Sequence, residues 1–561
     1  MYDNLPKGDA NASRTGFRYL AEALKTGGVD HFFHMPLVLP EAVIDMQAVG
    51  VKPIVVHSEK AAAYMADGYA RASGRIGVCS SQAIGQANLA AGMLDAYMAH
   101  TPILALTGSG DPTTRERNNY QEIDQRPIWS GLSKASMRVE EAARFPDLMQ
   151  QALRIATTGA QGPVHLELNS FTGGVLAGDT GGAALPDPRF FQFPSIRQGA
   201  PESDIAAALK AIGAASRPVV VAGSGIRTSG ARDALRAFVR TLRIPLTTSL
   251  DAKAALPESD PLSIGVVGTY SRDCANKAVT EADLVIFVGT TTGSMVTAAW
   301  TVPVPGVTAI QIDVDPRELG RNYPLIAGLA GDPATVLAQL TAAASTQPDR
   351  SPWLARMAVL KQEWDDLVRP DETSDAHPIR ADRLCRSLSN VLPEDALVVV
   401  DTGHAAHWAA RSIYLEHEGQ DLLRPAGSLG WAYPAAMGAK CARPDRPVIC
   451  FTGDGGFLYH LPEMETAVRY GINTVTVVNA NNSLNQERPV WSDVPEFDHA
   501  WKFSPVSYAD AARAFGHKAI RVEQAADIEP AIAEALAMNA PVIVEVMTDQ
   551  YVAADRAWKS A

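Results

Sequence analysis

Short apolar runs recur along this chain, and stretches of helical length separate them. The runs are rich in valine, isoleucine and leucine, which favour strands with both faces buried. Such strands belong to parallel sheets that helices cover on either side. The runs occupy residues 53–56, 75–79, 102–106, 163–168, 218–222, 283–288, 309–313, 396–400, 447–451, 475–478 and 541–546. The sequence therefore predicts an α/β protein built from parallel sheets.

Two segments divide these runs into three groups. Residues 172–203 are rich in glycine and proline, and residues 346–377 are polar and contain three prolines. A chain of 561 residues also exceeds what a single hydrophobic core normally holds. We predict three consecutive doubly wound parallel-sheet domains, over residues 1–185, 195–345 and 375–561.

Charge and composition exclude several classes of function. The net charge is −13, which gives no general attraction to nucleic acid or to an anionic membrane. Residues 1–7 lack a leader pattern, and no apolar run is long enough for a membrane span. The five cysteines are scattered without a CxxC pair, which argues against a zinc site or a disulfide framework. We expect a cytoplasmic protein with no nucleic-acid or membrane partner.

One polar motif follows two of the apolar runs. Asp454 lies between Gly453 and Gly455 after the run that ends at Phe451, and Asn481 lies 27 residues later, after the next run. Flanking glycines let the backbone approach a diphosphate closely. A carboxylate and an amide oxygen at neighbouring strand ends suit Mg²⁺. A lone Gly-Asp-Gly is commonly an ordinary turn, but the second half of the pattern favours a site for a diphosphate and Mg²⁺.

This spacing resembles the signature of thiamine diphosphate (ThDP) enzymes. The segments 57–71, 95–97, 162–164, 312–316 and 319–324 are similar to the acetolactate synthase and benzaldehyde lyase branch of that family, so the resemblance covers essentially the whole chain. It implies a pyrimidine-binding domain first, then a middle domain, and last a diphosphate- and metal-binding domain.

The resemblance also implies roles for residues of the last domain. Asp454, Asn481 and the carbonyl of Ser483 correspond to Mg²⁺ ligands. Leu429 corresponds to the apolar residue that wedges the cofactor into a V shape, and the carbonyl of Gly427 to the acceptor of the 4'-amino group. Leu429 could instead be a core residue, and His404 a solvated cap. The implied cofactor-binding set is Gly403, His404, Gly427, Leu429, Gly453, Asp454, Gly455, Gly456, Asn481 and Ser483.

Glu59 lies where the run at 53–56 gives way to a helical stretch. Taken alone, it is a helix-terminal acid that the helix dipole favours. The resemblance implies that it contacts N1' of the pyrimidine, and that Gln121 faces the active centre. Because Glu59 would act on cofactor held mainly by another subunit, the resemblance implies a homodimer or homotetramer with active sites at the subunit interface.

Other positions depart from the family pattern. Leu37 and Val38 replace a glycine-rich loop, so we expect them to form an apolar wall of the substrate pocket, to which Gln82 and Leu484 also belong. The turn Gly289-Thr290-Thr291-Thr292-Gly293 lacks the arginine of flavin-binding relatives, which argues against FAD. Gly223 to Gly225 and Asp313 leave open an adenine nucleotide or CoA.

The sequence thus predicts a ThDP- and Mg²⁺-dependent enzyme that makes or breaks a C–C bond next to a carbonyl in 2-oxo acids or related small molecules. An acetolactate synthase-like carboligase is the first choice. A 2-oxo acid decarboxylase and a 2-hydroxyacyl-CoA lyase are the alternatives within this chemistry. A catalytically silent regulatory subunit is a further alternative, although it would be expected to lack Glu59 or Asp454, and both are present.

Overall fold

The computed structural model describes residues 14–345, 348–491 and 494–554. Within these ranges it contains three six-stranded sheets in which the neighbouring strands run parallel. This confirms the predicted fold class of three doubly wound α/β domains. Parts of the predicted domains and of the second predicted linker, at residues 1–13, 346–347, 492–493 and 555–561, lie outside the described residues.

The first sheet has the strand order β2-β1-β3-β4-β6-β5. Its strands are β1 His31–His34, β2 Lys52–Val55, β3 Gly77–Ser81, β4 Ile103–Gly108, β5 Ala135–Val139 and β6 Val164–Leu168. Its helices are α1 Gly16–Thr26, α2 Pro40–Val49, α3 Glu59–Ser73, α4 Gln86–Met98, α5 Arg126–Trp129 and α6 Phe145–Thr157.

The second sheet has a different order, β12-β11-β10-β7-β8-β9. Its strands are β7 Pro218–Ala222, β8 Leu246–Thr248, β9 Ser263–Val266, β10 Leu284–Val288, β11 Thr308–Asp313 and β12 Leu325–Ala330. Its helices are α7 Glu202–Ala214, α8 Gly225–Thr228, α9 Arg232–Leu242, α10 Asp273–Glu281, α11 Pro333–Ala343 and α12 Ser351–Glu372. Val219 and Val221 of β7 enter one buried cluster, and Val220 and Ala222 enter another. Helices therefore bury both faces of this sheet.

The third sheet, β14-β13-β15-β16-β18-β17, repeats the order of the first. Its strands are β13 Leu397–Val400, β14 Asp421–Leu423, β15 Val448–Gly453, β16 Val475–Ala480, β17 Lys518–Val522 and β18 Val542–Met547. Its helices are α13 Ala381–Val391, α14 His404–Ser412, α15 Ala432–Ala442, α16 Asp454–Phe457, α17 Glu463–Tyr470, α18 Arg488–Trp491, α19 Tyr508–Ala514 and α20 Ile528–Ala537.

The second predicted linker is mostly helix. Within residues 346–377, α12 extends over 22 residues. Its prolines do not break it, because Pro352 lies in the first turn, where proline is tolerated, and Pro370 lies near the end. The helix buries Trp353, Met357 and Trp364, which share one face and pack on the core of the second sheet.

The chain forms two compact units. The first extends to Ile196 and includes Met437–Pro444, and the second comprises Arg197–Ala436 and the chain from Asp445 onward. In the second unit, Asp421 of β14 pairs with Arg227 at 3.0 Å and with Arg232 at 2.7 Å. These bonds tie the second sheet to the third. Over the described residues, no helix has both the length and the apolar character needed to cross a membrane.

Candidate functional site

A cavity of about 290 Å³ opens at the carboxyl-terminal edge of the third sheet. The segments that follow β13, β15 and β16 line it, and these three strands are neighbours in the sheet. β13 and β15 flank the point at which the strand order reverses, where parallel α/β sheets place their ligands. The lining residues are Tyr270, Thr402, Gly403, His404, Ala405, Gly427, Leu429, Gly453, Asp454, Gly455, Gly456, Asn479, Asn481, Ser483, Leu484, Asn485, Gln486 and Glu487.

Asp454 is the buried carboxylate of this cavity. One oxygen accepts a hydrogen bond from the backbone N–H of Gly455 at 2.8 Å, and the other accepts from the N–H groups of Asn481, at 2.8 Å, and Asn482. Burial raises the pKa of Asp454 to about 6, against the lowering effect of these hydrogen bonds. An ionised carboxylate is therefore costly here, and a bound cation would stabilise it.

Asn481 reaches the same edge because β15 and β16 pair in register, with Gly453 opposite Asn479. Its side-chain oxygen accepts from the hydroxyl of Ser483 at 2.8 Å. Its own carbonyl accepts from the side chain of Gln550 at 3.1 Å. These bonds fix the turn after β16, and the hydrogen bond from the N–H of Asn481 to the carboxylate keeps Asn481 next to Asp454.

Glycines open the wall of the cavity. A Cβ atom added at Gly427 or at Gly453 would meet nothing within 4 Å, so both positions leave space. Gly403 has a φ of +69°, a left-handed conformation that favours glycine, and it immediately precedes α14. The turn before α14 therefore exposes backbone to the cavity.

His404 begins α14 and contributes its ring to the cavity wall. Its Nδ1 atom is buried and has no hydrogen-bond partner among the described residues. Burial, with Arg488 nearby, lowers the pKa of His404 to about 4, so the ring is neutral at pH 7. A neutral imidazole at the amino end of a helix can donate one hydrogen bond to an anion.

Asp401 begins the segment 401–404, which the resemblance assigns to the diphosphate, and it anchors the site. It follows β13, is buried, and accepts from the N–H groups of Thr402 at 2.8 Å and Gly430 at 3.1 Å and from the hydroxyl of Thr452 at 3.1 Å. Burial raises its pKa to about 6. Asp401 thus connects the end of β13 with β15 and with the segment that precedes α15.

Glu59 belongs to the first unit, where it is the first residue of α3. Its Oε2 atom accepts from Nδ2 of Asn88 at 2.7 Å, and Asn88 also donates to Ser58 at 3.3 Å. A Cβ atom at Gly85 would collide with Oε1 of Glu59. Asn88 and Gly85 therefore fix the direction of the carboxylate, a pairing that the sequence did not predict.

Gln121 and Gln82 lie together in the same unit. Gln121 has a φ of +58°, accepts from the N–H of Ile84 at 3.0 Å and donates to Gln82 at 3.3 Å. Because Ile84 precedes Gly85 directly, this pair lies along the loop that borders Glu59. Glu59, Gln82 and Gln121 thus belong to one group of polar side chains.

Leu37 and Val38, predicted together as an apolar wall, differ in their surroundings. Leu37 is 66% exposed and has a φ of +71°, whereas Val38 is 1% exposed. A leucine in the left-handed conformation is strained by roughly 1 to 2 kcal/mol. Of these two residues, Leu37 presents its side chain at the surface of the unit and Val38 does not.

The predicted site residues therefore fall into two groups. The cavity of the second unit brings together Gly403, His404, Gly427, Leu429, Gly453, Asp454, Gly455, Gly456, Asn481, Ser483 and Leu484. The first unit carries Glu59, Gln121, Leu37, Val38 and Gln82. Tyr270 also lines the cavity, and the sequence indicated no role for it. Gln486 and Glu487 line it too, and they follow Leu484 in the loop around residues 482–487, for which the sequence predicts a role in substrate choice.

Three family models match successive parts of the chain. They describe the N-terminal binding domain, the central domain and the C-terminal binding domain of thiamine pyrophosphate enzymes, and they match residues 14–128, 205–340 and 401–546. Thiamine pyrophosphate is another name for ThDP. The three matches follow the order of the three sheets.

Several curated proteins match nearly the full length of the chain. The probable acetolactate synthase large subunit of Methanocaldococcus jannaschii is 32% identical over 95% of this chain and 92% of its own length. The acetolactate synthase large subunit of Parasynechococcus marenigrum is 30% identical over 96% of this chain and 88% of its own. The acetolactate synthase isozyme 2 large subunit of Escherichia coli is 28% identical over 95% and 96%.

The three parallel sheets and the cavity at a reversal of strand order agree with these matches. Together they define a ThDP-dependent enzyme. The chain belongs to the thiamine pyrophosphate enzyme family, in its acetolactate synthase-like branch.

Proposed function

We propose that this protein is a Mg²⁺- and ThDP-dependent carboligase that acts on 2-oxo acids. The observation that carries the proposal is the arrangement of Asp454 beside Asn481 in a cavity whose wall is opened by glycines. The names of the relatives, which are acetolactate synthase large subunits, support carboligation as the reaction.

The donor set fits Mg²⁺ bound together with a diphosphate. Over the described residues, no group of three His, Cys, Asp or Glu side chains could hold a metal ion by itself. A cation at Asp454 would have to complete its shell with neutral oxygens, water and phosphate, which is how Mg²⁺ is commonly bound. We assign the side chains of Asp454 and Asn481 and the carbonyl of Ser483 as its protein ligands.

The diphosphate fits the turn before α14. Gly403 and His404 lie at the amino end of this nine-residue helix, and the buried Nδ1 atom of His404 has no other partner among the described residues. Helix dipole, backbone and imidazole together favour an anion there. Gly427, Leu429 and glycines 453, 455 and 456 would contact the rest of the cofactor.

Bound ThDP supplies an electron sink for a carbanion next to a carbonyl. The protein's part in activating it is a proton held at N1' of the pyrimidine, and we assign that part to Glu59. Asn88 orients the carboxylate through its 2.7 Å hydrogen bond, so the proton would be held in a fixed direction. Gln121 would face the reacting atoms, held in place through Ile84 and Gln82.

We further propose that the active form is a homodimer or a homotetramer in the cytoplasm, with each active site formed at a subunit interface. Leu37, Gln82 and Leu484 would border the substrate, whereas the side chain of Val38 is buried and would not contact it. Some of the relatives are named as large subunits, which supports a smaller partner subunit as well.

The second sheet supports the expectation that no FAD is bound. Its strand order is that of dinucleotide-binding folds, in which the ligand lies between the segments after β7 and β10. Here those segments contact each other, because the N–H of Gly223 donates to Val288 and that of Gly225 to Gly289, both at 2.9 Å. A Cβ atom at Gly225 would lie 2.6 Å from the Cα atom of Gly289. An adenine nucleotide or CoA would have to bind outside this crevice.

A product screen tests the proposal. Purified protein with ThDP and Mg²⁺ is incubated with single and paired 2-oxo acids, aldehydes and acyl-CoA thioesters. The molecular masses of the products are then measured by mass spectrometry. We expect products that combine a decarboxylated donor with a second carbonyl compound, and none from the Asp454→Ala variant. A product without the acceptor indicates a decarboxylase, and turnover of a CoA thioester indicates a lyase. If every mixture stays unchanged, the chain is catalytically silent and the proposal is wrong.

A further inference from the structure

Tyr270 comes from the second sheet, yet it lines the cavity at the edge of the third. It lies in the segment between β9 and α10, within the second compact unit. Its ring stacks on the buried His407 of α14, with centroids 5.0 Å apart and planes 19° from parallel. The stack fixes the ring against the helix whose amino end would hold the diphosphate.

The hydroxyl of Tyr270 contacts the side chain of Gln486. Nε2 of Gln486 donates to the hydroxyl at 3.2 Å, and the hydroxyl lies 3.5 Å from Oε1 of the same amide. Gln486 is exposed while it lines the cavity, so it lies at the rim. Its Oε1 atom is 3.3 Å from the position that a Cβ atom of Gly403 would take. The amide of Gln486 therefore lies over the turn that precedes α14.

The neighbours of Gln486 are held within the domain of the third sheet. Three of them donate hydrogen bonds to backbone carbonyls of the same domain. The N–H of Leu484 donates to Trp501 at 2.7 Å, and the side chain of Asn485 donates to Val552 at 2.8 Å. The side chain of Arg488 donates to Tyr551 at 2.6 Å. The side chain of Gln486 instead contacts a residue of the second sheet's domain. Of this rim segment, 484–488, Gln486 is the residue placed to connect the two domains.

We propose that Tyr270 is a positioning residue that holds Gln486, and with it the rim segment, over bound cofactor and so slows the release of ThDP. The inference rests on the proposed function, because it takes the cavity as the diphosphate site. Tyr270 moves no proton and contacts no reacting atom. Its effect is on the lifetime of the cofactor complex, through a contact between two domains that fold on different sheets.

The size of the effect follows from the geometry. One neutral hydrogen bond is lost when the hydroxyl is removed, which corresponds to about a fivefold faster release of cofactor. The ring stack on His407 stays in Tyr270→Phe, so the α14 turn keeps its place. Since affinity changes in related complexes appear mainly in the dissociation rate, the association rate should change little.

The test compares four variants of the full chain loaded with ThDP and Mg²⁺. Tyr270→Phe and Gln486→Ala each remove one side of the contact, and the double variant removes both. Tyr19→Phe is the control, because it also deletes a tyrosine hydroxyl that donates a hydrogen bond, here to Ala184 at 2.8 Å. Tyr19 belongs to the first unit and is not among the residues that line the cavity. The release rate is measured by mixing the loaded protein with an excess of a non-reactive thiazole analogue of ThDP. The analogue replaces ThDP as it dissociates, and the change in protein fluorescence gives the rate.

We expect both single variants to release ThDP about five times faster than wild type, the double variant to match them, and Tyr19→Phe to be unchanged. The melting temperature of the cofactor-free protein should be the same for wild type and Tyr270→Phe. Wild-type release rates in both single variants, or additive effects in the double variant, overturn the inference. If wild-type protein binds no ThDP at all, the proposed function itself is wrong, so the two failures are distinguishable.

Discussion

Replacing Glu59 by glutamine separates a functional role from a structural one. As the first residue of α3, Glu59 would contribute roughly 0.3 to 1 kcal/mol through the helix dipole in any protein. Glutamine has the same shape, and its Oε1 atom can still accept from Nδ2 of Asn88, which is 2.7 Å from the carboxylate. The fold should therefore lose no more than this dipole contribution.

The effect on the cofactor should be much larger. An amide cannot hold the proton that the pyrimidine needs at N1', and such acid–base contributions amount to roughly 10² to 10⁴ in rate. We expect exchange of the thiazolium C2 proton of bound ThDP for deuterium, followed by quenched-flow NMR, to slow by about that factor. Binding of ThDP and Mg²⁺, measured by calorimetry, should stay close to wild type.

Two further variants sharpen the test. Glu202 is likewise the first residue of a helix, α7, so Glu202→Gln removes the same dipole interaction without touching the proposed site. Gly85→Ala keeps the Glu59 carboxylate but forces it to move, because the new methyl group collides with Oε1. We expect slow exchange in Gly85→Ala and normal exchange in Glu202→Gln. If Glu59→Gln exchanges at the wild-type rate, Glu59 is only a helix-terminal acid and the assignment is wrong.

Four other outcomes are expected. Asp454→Ala should abolish Mg²⁺-dependent ThDP binding in calorimetry, because the diphosphate then lacks a held counter-charge; unchanged affinity would mean that the cofactor lies elsewhere. Leu37→Gly should shift kcat/KM between small and bulky substrates by about tenfold, with C2 exchange and stability retained, since the +71° φ suits glycine; loss of exchange with unaltered preference would instead assign the loop to the cofactor. Burial opposes the ionisation of Asp421, but Arg227 and Arg232 outweigh it and hold its pKa well below the usual range. Asp421→Asn should therefore lower the free energy of unfolding by about 2 kcal/mol at pH 7, and this difference from wild type should shrink as the pH falls below about 4. A difference that does not depend on pH would refute the ion-pair account. Sedimentation of the active enzyme should show at least a dimer, and an active monomer would contradict the shared site.

Most of the internal strands were predictable because they are buried on both faces. The runs at 218–222, 284–288 and 475–478 are apolar at every position or nearly so, and every residue there is buried. The sequence missed β1, β5, β8, β9, β12, β14 and β17. Five of these, β5, β9, β12, β14 and β17, are edge strands, whereas β1 and β8 are internal strands of only four and three residues. An edge strand has one partner and keeps some exposed residues, as in β12 and β17, so its composition resembles that of a loop.

The site residues that the sequence indicated are those with a local signature. Asp454 with its glycines, and Asn481 after the next strand, combine a motif with a spacing that neighbouring parallel strands require. Tyr270 has no such signature. Tyr270 reaches the cavity from another sheet, more than 200 residues from Gln486 in sequence, and only the packing of the domains brings the two side chains together.

The sequence by itself determined the class of fold, the family and the polar groups at the ends of β15 and β16, because strand burial and ligand chemistry are set by residue types at short range. Only the tertiary structure decided that the strand order of the third sheet repeats that of the first, that Asn88 and Gly85 orient Glu59, and that Leu37 is exposed while Val38 is buried. Each of these depends on which distant segments lie side by side. That choice is made by the packing of whole faces of sheets and helices, and no short stretch of the chain contains it.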